Sequence, residues 1–452
     1  MMQPATDQPD SEHAPRARWE IAMLLLVGLA SGFAVGGLLG GLLGAPLGGW
    51  LLKSAEPGAG VISGVKNGFI ILGALGGLAG LVWGARSRFN PQTRRKLRRF
   101  YAIKRGYVSF VLLIAAFAIS LIGEVFVNNR ALLVSYEGKL FCPVSPFSRA
   151  YTGKEFGLEK DRAGQDYTFE VNYRELADDF SKNKSGNWVL MPLVPFNEYE
   201  NDFREGLVHP SKPNVEMQHC LGTDRTGRDV LARLFYGFRI TMIFALVFML
   251  MVYLIGVVIG CLMGYFGGWV DLAGQRAVEV WQNIPFLYMV IIVVAAVSDL
   301  PFTLPAWFKI LVLLAIMVVF SWTSMTYYMR TAVYREKARD YVAAAELLGA
   351  STPRILFNHL MPNTISTMVT FMPFTVATAI ISVTALDYLG LGLPIGTPSW
   401  GALLKQGVGF AKQAPWIVLS AFGAMVMVLT LVTFIGEAVR EAFDPKKFTT
   451  YE

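Results

Sequence analysis

Long apolar stretches with at most one charged side chain each are the feature that most limits how this chain can fold. The stretches cover residues 21–52, 67–84, 108–127, 240–263, 281–297, 307–328, 365–386 and 416–435. A helix of about 17 to 25 apolar residues crosses the hydrocarbon layer of a bilayer. Only 16% of the 452 residues are charged, against about 25% in a soluble domain. The sequence therefore predicts an all-α polytopic membrane protein with about eight spans, which excludes fibrous and disordered classes.

Basic residues set the expected orientation of these spans. The net charge is +7, and one cluster follows the second apolar block: Arg86, Arg88, Arg94, Arg95, Lys96, Arg98, Arg99, Lys104 and Arg105. Lysine and arginine accumulate on cytoplasmic loops of membrane proteins. We therefore read the cluster as a topology signal rather than as a nucleic-acid surface, and we expect both termini in the cytoplasm.

The apolar blocks and the segments between them predict the order of the chain. The predicted order is a disordered cytoplasmic tail (1–18), a glycine-rich transmembrane hairpin (19–84), a basic cytoplasmic linker (85–106), core span 1 (107–127), a small mixed periplasmic segment (128–235), core spans 2–6 (236–439) with a cytoplasmic loop at 334–362, and a cytoplasmic tail (440–452). Glycines spaced four apart in the hairpin favour close helix packing, with or without a partner subunit. Cys142 and Cys220 fall in the periplasmic segment, and the sequence leaves open whether they form a disulfide.

The cytoplasmic loop has the pattern of two helices joined at a glycine. Asp340 is a candidate N-cap, and the alanines that follow are strong helix formers. Gly349 stands where a helix ends in a left-handed residue. Ser351 or Thr352 then caps a second helix, with Pro353 in its first turn.

This arrangement resembles the coupling segment that docks into the ATPase subunits of ABC importer permeases. The family pattern is Glu-Ala-Ala, three residues, Gly, and later an Ile and a Leu-Pro pair. The resemblance assigns ATPase coupling to Tyr341, Ala343, Ala344, Ala345, Glu346, Gly349, Ile355, His359 and Pro362. Ala343 replaces the family glutamate, so an ion pair to the ATPase at this position is in doubt; Glu346 is a candidate replacement on the neighbouring face.

Three further stretches resemble dipeptide and oligopeptide permeases, namely residues 221–239, 389–404 and 436–446. The first predicts a helix on the outer membrane surface, capped by Asp224 or Thr226, with Arg228 and Arg233 facing water. Its motif residues are Gly222, Thr223, Asp224, Gly227, Arg228 and Asp229.

The long outer segment is similar to the Yej-type branch of oligopeptide and microcin C importers. The resemblance rests on residues 128–130, 133–139, 173–174 and 188–195. It implies a six-span permease core, here preceded by two extra glycine-rich spans, in a bacterial inner membrane. It also implies import of peptides or peptide-like compounds with ATP hydrolysed by partners. The implied partners are a second homologous permease subunit forming a heterodimer, two ABC ATPase domains or subunits, a periplasmic or lipid-anchored peptide-binding protein, and membrane lipid.

Catalytic motifs are missing from the sequence. It contains no G-x-x-x-x-G-K-[ST] phosphate-binding loop and no histidine, cysteine or carboxylate cluster with metal-ligand spacing. We therefore expect no enzyme activity, no cofactor or metal in this chain, and no nucleic-acid partner.

Polar side chains at membrane depth are the candidates for a transport pathway, because burial in lipid is costly unless they line a cavity or bond a neighbour. The pathway candidates are Asn283, Ser321, Ser324, Thr378 and Ser382. For the hydroxyls, bonding to a carbonyl of their own helix is the alternative.

Other functions are compatible with a multi-span protein. A proton-coupled secondary transporter would show internal repeats and ionisable residues in mid-span. One further alternative is an ABC permease for nickel or a glycan. Another is a membrane scaffold or sensor with an outer ligand domain.

Overall fold

A computed structural model describes residues 91–145, 150–158, 170–183, 186–204, 208–300, 304–394 and 396–443. The predicted N-terminal tail, the glycine-rich hairpin and most of the C-terminal tail lie outside these residues. The chain divides into two compact units, Met1–Ala102 and Ile103–Glu452. The described part of the first unit is helix α1 (Pro91–Ala102), which lies within the predicted basic linker.

Helices form most of the second unit. They are α2 (Lys104–Leu121), α3 (Tyr173–Asn183), α4 (Val230–Phe266), α5 (Gly268–Gln282), α6 (Phe286–Ser298), α7 (Ala306–Lys337), α8 (Asp340–Leu347), α9 (Met361–Leu389), α10 (Trp400–Gly409) and α11 (Pro415–Phe443). Within the described residues, five helices are long and apolar enough to cross a membrane, or up to six if the bent pair α5–α6 is one span. The prediction of an all-α, membrane-spanning protein is therefore confirmed.

The third core span differs from the sequence-based expectation. The apolar block at 281–297 predicts a single span, but it matches mainly α6, and α5 precedes it as a second arm. The two arms are bent by 70° at residues 283–285. Pro285 has no N–H to donate and stands at the N-cap of α6, so the helix is interrupted there.

The helices α4 and α7 pack along a row of glycines. Gly256, Gly260 and Gly264 are spaced four apart on α4, and no side chain fits at any of them. A Cβ atom on Gly260 would stand 2.5 Å from the Thr326 carbonyl oxygen, and one on Gly264 would stand 2.8 Å from the Arg330 carbonyl oxygen. We call this contact the glycine seam. Small residues at this spacing let two helix backbones approach closely, which is a main source of helix association in lipid.

A small mixed unit lies between α2 and α4. It contains a three-stranded sheet of β1 (Leu133–Tyr136), β2 (Lys139–Phe141) and β3 (Trp188–Leu190) in the order β2-β1-β3, with antiparallel pairing. Glu137 and Gly138 both have positive φ, of 49° and 76°, as a two-residue hairpin turn requires. Helix α3 contributes Tyr173, Leu176 and Phe180 to the core of this unit. Cys142 and Cys220 are exposed free cysteines and form no disulfide with each other.

The glycine seam generates a mutational prediction. Replacing Gly260 with leucine forces α4 and α7 apart, and overpacking of this kind costs about 1–3 kcal/mol or more. We expect Gly260→Leu to lower the thermal stability and yield of the detergent-purified protein.

Gly423 on α11 is the matched control, because a Cβ there meets none of the described residues within 4 Å. Gly423→Leu should behave like the wild type. Equal melting temperatures for Gly260→Leu and the wild type would disprove the importance of the seam.

Candidate coupling site and translocation groove

The coupling segment, residues 340–362, has the helix and glycine corner that its sequence predicts. Helix α8 ends at Leu347, and Gly349 has a left-handed φ of 77°. The Gly349 N–H donates to the Glu346 carbonyl at 3.0 Å, and the Ala350 N–H donates to the Ala345 carbonyl at 3.0 Å. These two bonds form a Schellman motif that satisfies the last carbonyls of the helix. The N-cap is Arg339 rather than the predicted Asp340, and its side chain makes no capping hydrogen bond.

One face of α8 is exposed and the other is packed against the bundle. Leu347 and Leu348 are 89% and 88% exposed, and Ala343, Ala344 and Glu346 are exposed beside them. Val342 and Ala345, three residues apart, are buried against the bundle. Sequence reasoning missed the two leucines, although leucines at a helix end next to the glycine corner could have indicated them.

Hydrogen bonds tie the coupling segment to α7 and α9. The Tyr341 hydroxyl donates to Glu336 Oε2 at 3.2 Å and accepts from Asn363 Nδ2 at 3.1 Å. Glu336 also pairs with Arg339 at 3.2 Å. Neither Glu336 nor Asn363 was singled out from the sequence.

The second helix of the segment continues directly into α9. It begins with Ser351 as N-cap and passes through a π-helix, Ile355–Leu360. Pro362 explains this widened turn, because its ring clashes with a preceding carbonyl in regular α-helix geometry. Ile355 is fully buried. His359 is half-buried, and its carbonyl accepts from Asn363 Nδ2 at 2.9 Å.

A polar groove of about 340 Å³ lies between α5 and α7. Its lining contains Ser324, one of the predicted pathway residues. Other polar and aromatic side chains of α5 and α7 also line the groove, including Gln275, Glu279, Gln282, Tyr327, Tyr328 and Arg330. The Tyr328 ring stacks on Phe371 of α9 with 3.9 Å between centroids, so α9 supports the wall of the groove.

The other pathway candidates do not line this groove. The Asn283 side-chain amide donates to the Glu279 carbonyl at 2.8 Å, which satisfies an acceptor at the break between α5 and α6. The Thr378 hydroxyl donates to the Phe374 carbonyl at 2.9 Å. This is the bond within its own helix that the sequence offered as the alternative to a pathway role. Ser321 and Ser382 are half-buried.

The prediction of a surface helix at 221–239 is wrong. Residues from Val230 onward are the first turns of the 37-residue spanning helix α4, and Arg233 is buried rather than facing water. The cap is Asp229, whose Oδ1 accepts from the Ala232 N–H at 2.7 Å. Asp224, the predicted cap, instead forms a buried ion pair with Arg233.

The remaining motif residues form a tight turn before α4. Gly222 and Gly227 have φ of 74° and 85°, and Thr223 is fully buried. The Thr223 hydroxyl contacts Ser211 and His209, at 2.9 and 3.0 Å. Arg228 Nε donates to Asn201 Oδ1 at 3.1 Å. The motif therefore holds the turn that precedes α4 through hydrogen bonds to Ser211, His209 and Asn201.

His219 joins two buried carboxylates next to this motif. Its Nδ1 lies 2.8 Å from Asp229 Oδ2, and its Nε2 lies 2.9 Å from Asp202 Oδ2. Its ring stacks on Phe196 at 4.2 Å. Burial alone would lower the pKa of His219, but the hydrogen bonds and charges of Asp202 and Asp229 outweigh it, so the pKa is raised. With both ring nitrogens protonated, the imidazolium donates to both carboxylates.

Helices long and apolar enough to cross a membrane, a groove between two of them and the exposed helix α8 are the features expected of a polytopic permease. Comparisons with known proteins agree. The family described as "Binding-protein-dependent transport system inner membrane component" matches residues 256–449. The chain belongs to this family of inner membrane permease components, and its resemblance to the Yej-type branch of ABC importer permeases is confirmed.

Three relatives document this membership. The inner membrane ABC transporter permease protein YejE of Escherichia coli is 38% identical over 363 residues, covering 80% of this chain and 99% of the relative. The peptidoglycan transport system permease protein YejE of Agrobacterium fabrum is 36% identical over 391 residues, 81% of this chain and 96% of the relative. The oligopeptide transport system permease protein OppC of Bacillus subtilis is 32% identical over 258 residues, 57% of this chain and 80% of the relative.

The bridge at His219 predicts a pH dependence of stability. A raised folded-state pKa stabilises the fold fully below the unfolded pKa of about 6.5, and the contribution is lost as the pH rises through the folded pKa. The expected contribution is about 1.4 kcal/mol for each unit of the difference. The melting temperature of the wild type should therefore exceed that of His219→Gln most at pH 6, and the difference should shrink towards pH 9.

Tyr236→Phe is the control, since it removes the buried hydrogen bond from the Tyr236 hydroxyl to the Val127 carbonyl. Neither partner titrates between pH 6 and pH 9, so this variant should give an offset that does not change with pH. If the difference in melting temperature between the wild type and His219→Gln stays constant from pH 6 to pH 9, the His219 imidazolium does not contribute the predicted stabilisation.

Proposed function

We propose that this chain is the membrane-spanning subunit through which an ABC importer moves peptides or peptide-like compounds across a bacterial inner membrane. The observation that carries the proposal is the exposed end of α8. Leu347 and Leu348 project from a helix whose other face is anchored, and an apolar surface of this kind marks a site of protein contact. In a family of permeases of ABC transporters, the ATPase is the partner that this surface fits.

The substrate class follows from the relatives. One YejE relative is named for peptidoglycan transport, and other relatives are named for oligopeptides and dipeptides. Peptides are therefore favoured over nickel or a glycan, and an ABC permease is favoured over a proton-coupled transporter.

The proposed assembly contains a second homologous permease, two ATPase domains or subunits, and a periplasmic or lipid-anchored peptide-binding protein. ATP hydrolysis takes place in the partners. In this chain, a six-span core counts α5 and α6 as one broken span, and two glycine-rich spans precede it. The polar groove at Ser324, with Asn283, Ser321, Thr378 and Ser382 as further pathway residues, faces the moving peptide.

The proposal is tested with the complete complex purified in mild detergent and reconstituted into vesicles. A second permease chain and two ATPase chains should accompany this chain. Adding ATP and the binding protein should then drive uptake of a labelled oligopeptide. Purification without an ATPase, or a complex that hydrolyses ATP without taking up any peptide, would contradict the proposal.

Gly349 offers a sharper test of coupling. A β-branched residue at a φ of 77° costs about 1–3 kcal/mol, and relief of this strain rotates Leu348 away from its docking position. We expect Gly349→Val to insert and assemble normally while peptide uptake per ATP falls by roughly tenfold.

Gly138 is the matched control, because its φ is 76° and a Cβ there also meets nothing within 4 Å. It lies in the β1–β2 hairpin, far along the chain from the coupling segment. Gly138→Val should keep wild-type uptake per ATP. If Gly349→Val transports as well as Gly138→Val, the corner has no role in coupling.

A further inference from the structure

We propose that Asp271, Arg330, Tyr334 and Lys337 form a cytoplasmic clamp that passes the motion of the coupling segment to α5. They are positioning residues for transport, and the inference rests on the proposed function of the chain as an ATP-driven permease. Polar contacts lead from the coupling segment through the end of α7 to the start of α5.

Three of the four clamp residues lie on one face of α7. Arg330, Tyr334 and Lys337 are spaced at i, i+4 and i+7, so their side chains lie on the same face of the helix. All three reach the corner where α4 ends and α5 begins. Charged side chains at the end of a spanning helix are costly unless they are paired.

Asp271 receives two of the three side chains. Arg330 binds its carboxylate with both arms of the guanidinium, Nε to Oδ1 and Nη2 to Oδ2, the latter at 2.6 Å. The Tyr334 hydroxyl donates to Oδ2 at 3.1 Å. Asp271 is only 7% exposed, and a bidentate pair fixes orientation as well as distance. Lys337 Nζ donates to the Tyr265 carbonyl at 2.5 Å, at the end of α4.

The corner under the clamp has a conformation that favours glycine. Gly267 and Gly268 have φ of 63° and 50°, and a Cβ on Gly267 would stand 3.1 Å from the Tyr334 hydroxyl. Two consecutive glycines make a pivot between two long helices. Asp271 lies in the first turn of α5, so the clamp holds α5 immediately beyond its pivot.

The same end of α7 carries the coupling segment. Glu336, next to Lys337, is held by the Tyr341 hydroxyl of α8. The last turn of α7 therefore binds the α4–α5 corner with one side chain and the coupling helix with its neighbour. A displacement of α8 by a docked ATPase moves this turn. Because the clamp joins α7 to the start of α5, the start of α5 moves with it.

The far part of α5 supplies the groove. Gln275, Glu279 and Gln282 line it, and the helix ends there at the 70° bend into α6. Since α5 has a glycine pivot at one end and a break at the other, it moves as a short rigid rod. Its rotation widens or narrows the groove, which links the ATPase cycle to the path of the peptide.

Asp271→Asn is the cleanest test, because Asp271 belongs to the clamp but does not line the groove. The variant is made in the complete complex, reconstituted with the binding protein and a labelled oligopeptide. We expect unchanged co-purification of the partners, retained ATPase activity, and a loss of peptide uptake per ATP of roughly tenfold. Asp271→Glu, which keeps the charge, should retain most of the uptake.

Two further variants separate positioning from simple stabilisation. The double variant Asp271→Arg, Arg330→Asp restores an ion pair and should recover part of the lost coupling. Arg335→Gln, which changes an exposed side chain of α7 outside the clamp, should transport as the wild type does. Tyr334→Phe removes a single hydrogen bond and is expected to give a smaller loss of coupling in a complex that still assembles.

Each outcome bears on one idea. If Asp271→Asn and Tyr334→Phe both transport as much peptide per ATP as the wild type, the clamp is overturned. The clamp is equally overturned if uptake is lost only together with assembly in every clamp variant. A wild-type complex that hydrolyses ATP but takes up no peptide contradicts the proposed function instead, since the clamp predicts differences between variants and not the substrate.

Discussion

The close approach of α4 and α7 is the interaction on which the rest of the structure depends. Apolar helix surfaces gain little by leaving lipid for each other, so helix association relies on packing. The glycines of the seam bring the backbones into direct contact at Thr326 and Arg330. Only at this short distance do the polar side chains at the end of α7 reach the corner between α4 and α5. The coupling segment follows α7 directly, so the seam also sets where Leu347 and Leu348 project.

Charges are placed at the two ends of this helix pair and are paired at each end. Near the start of α4, Arg233 binds Asp224 and His219 binds Asp202 and Asp229. Near the opposite end of the pair, Arg330 binds Asp271. Breaking a buried pair leaves an uncompensated charge, which is strongly destabilising. The first turn of α4 and the first turn of α5 are therefore each held by a buried ion pair, while the bent pair α5–α6 has a glycine pivot and a proline break.

Sequence reasoning predicted most of the helices, because apolar block length is a direct consequence of bilayer thickness. It also predicted the left-handed Gly349, because local sequence determines that conformation. It misplaced the start of α4, since a buried Arg233 can be recognised only with its partner Asp224 in three dimensions. It missed the bend at Pro285 because hydropathy does not report direction. The glycine spacing at 256, 260 and 264 is visible in the sequence and would have indicated the seam. The His219 bridge has no local signal, since Asp202 and Asp229 are distant in sequence.

The central claim is that the coupling segment touches an ATPase in the cytoplasm, and site-specific cross-linking tests it most directly. The variant would carry Leu348→Cys as its only cysteine, with Cys142, Cys220 and Cys261 replaced by alanine. Leu193→Cys, at a position 86% exposed in the outer unit, provides the comparison. The account predicts that a short thiol cross-linker joins residue 348, and not residue 193, to the ATPase subunit of the intact complex. Cross-linking from residue 193 alone, or labelling of residue 348 by a membrane-impermeant reagent added from outside, would contradict it.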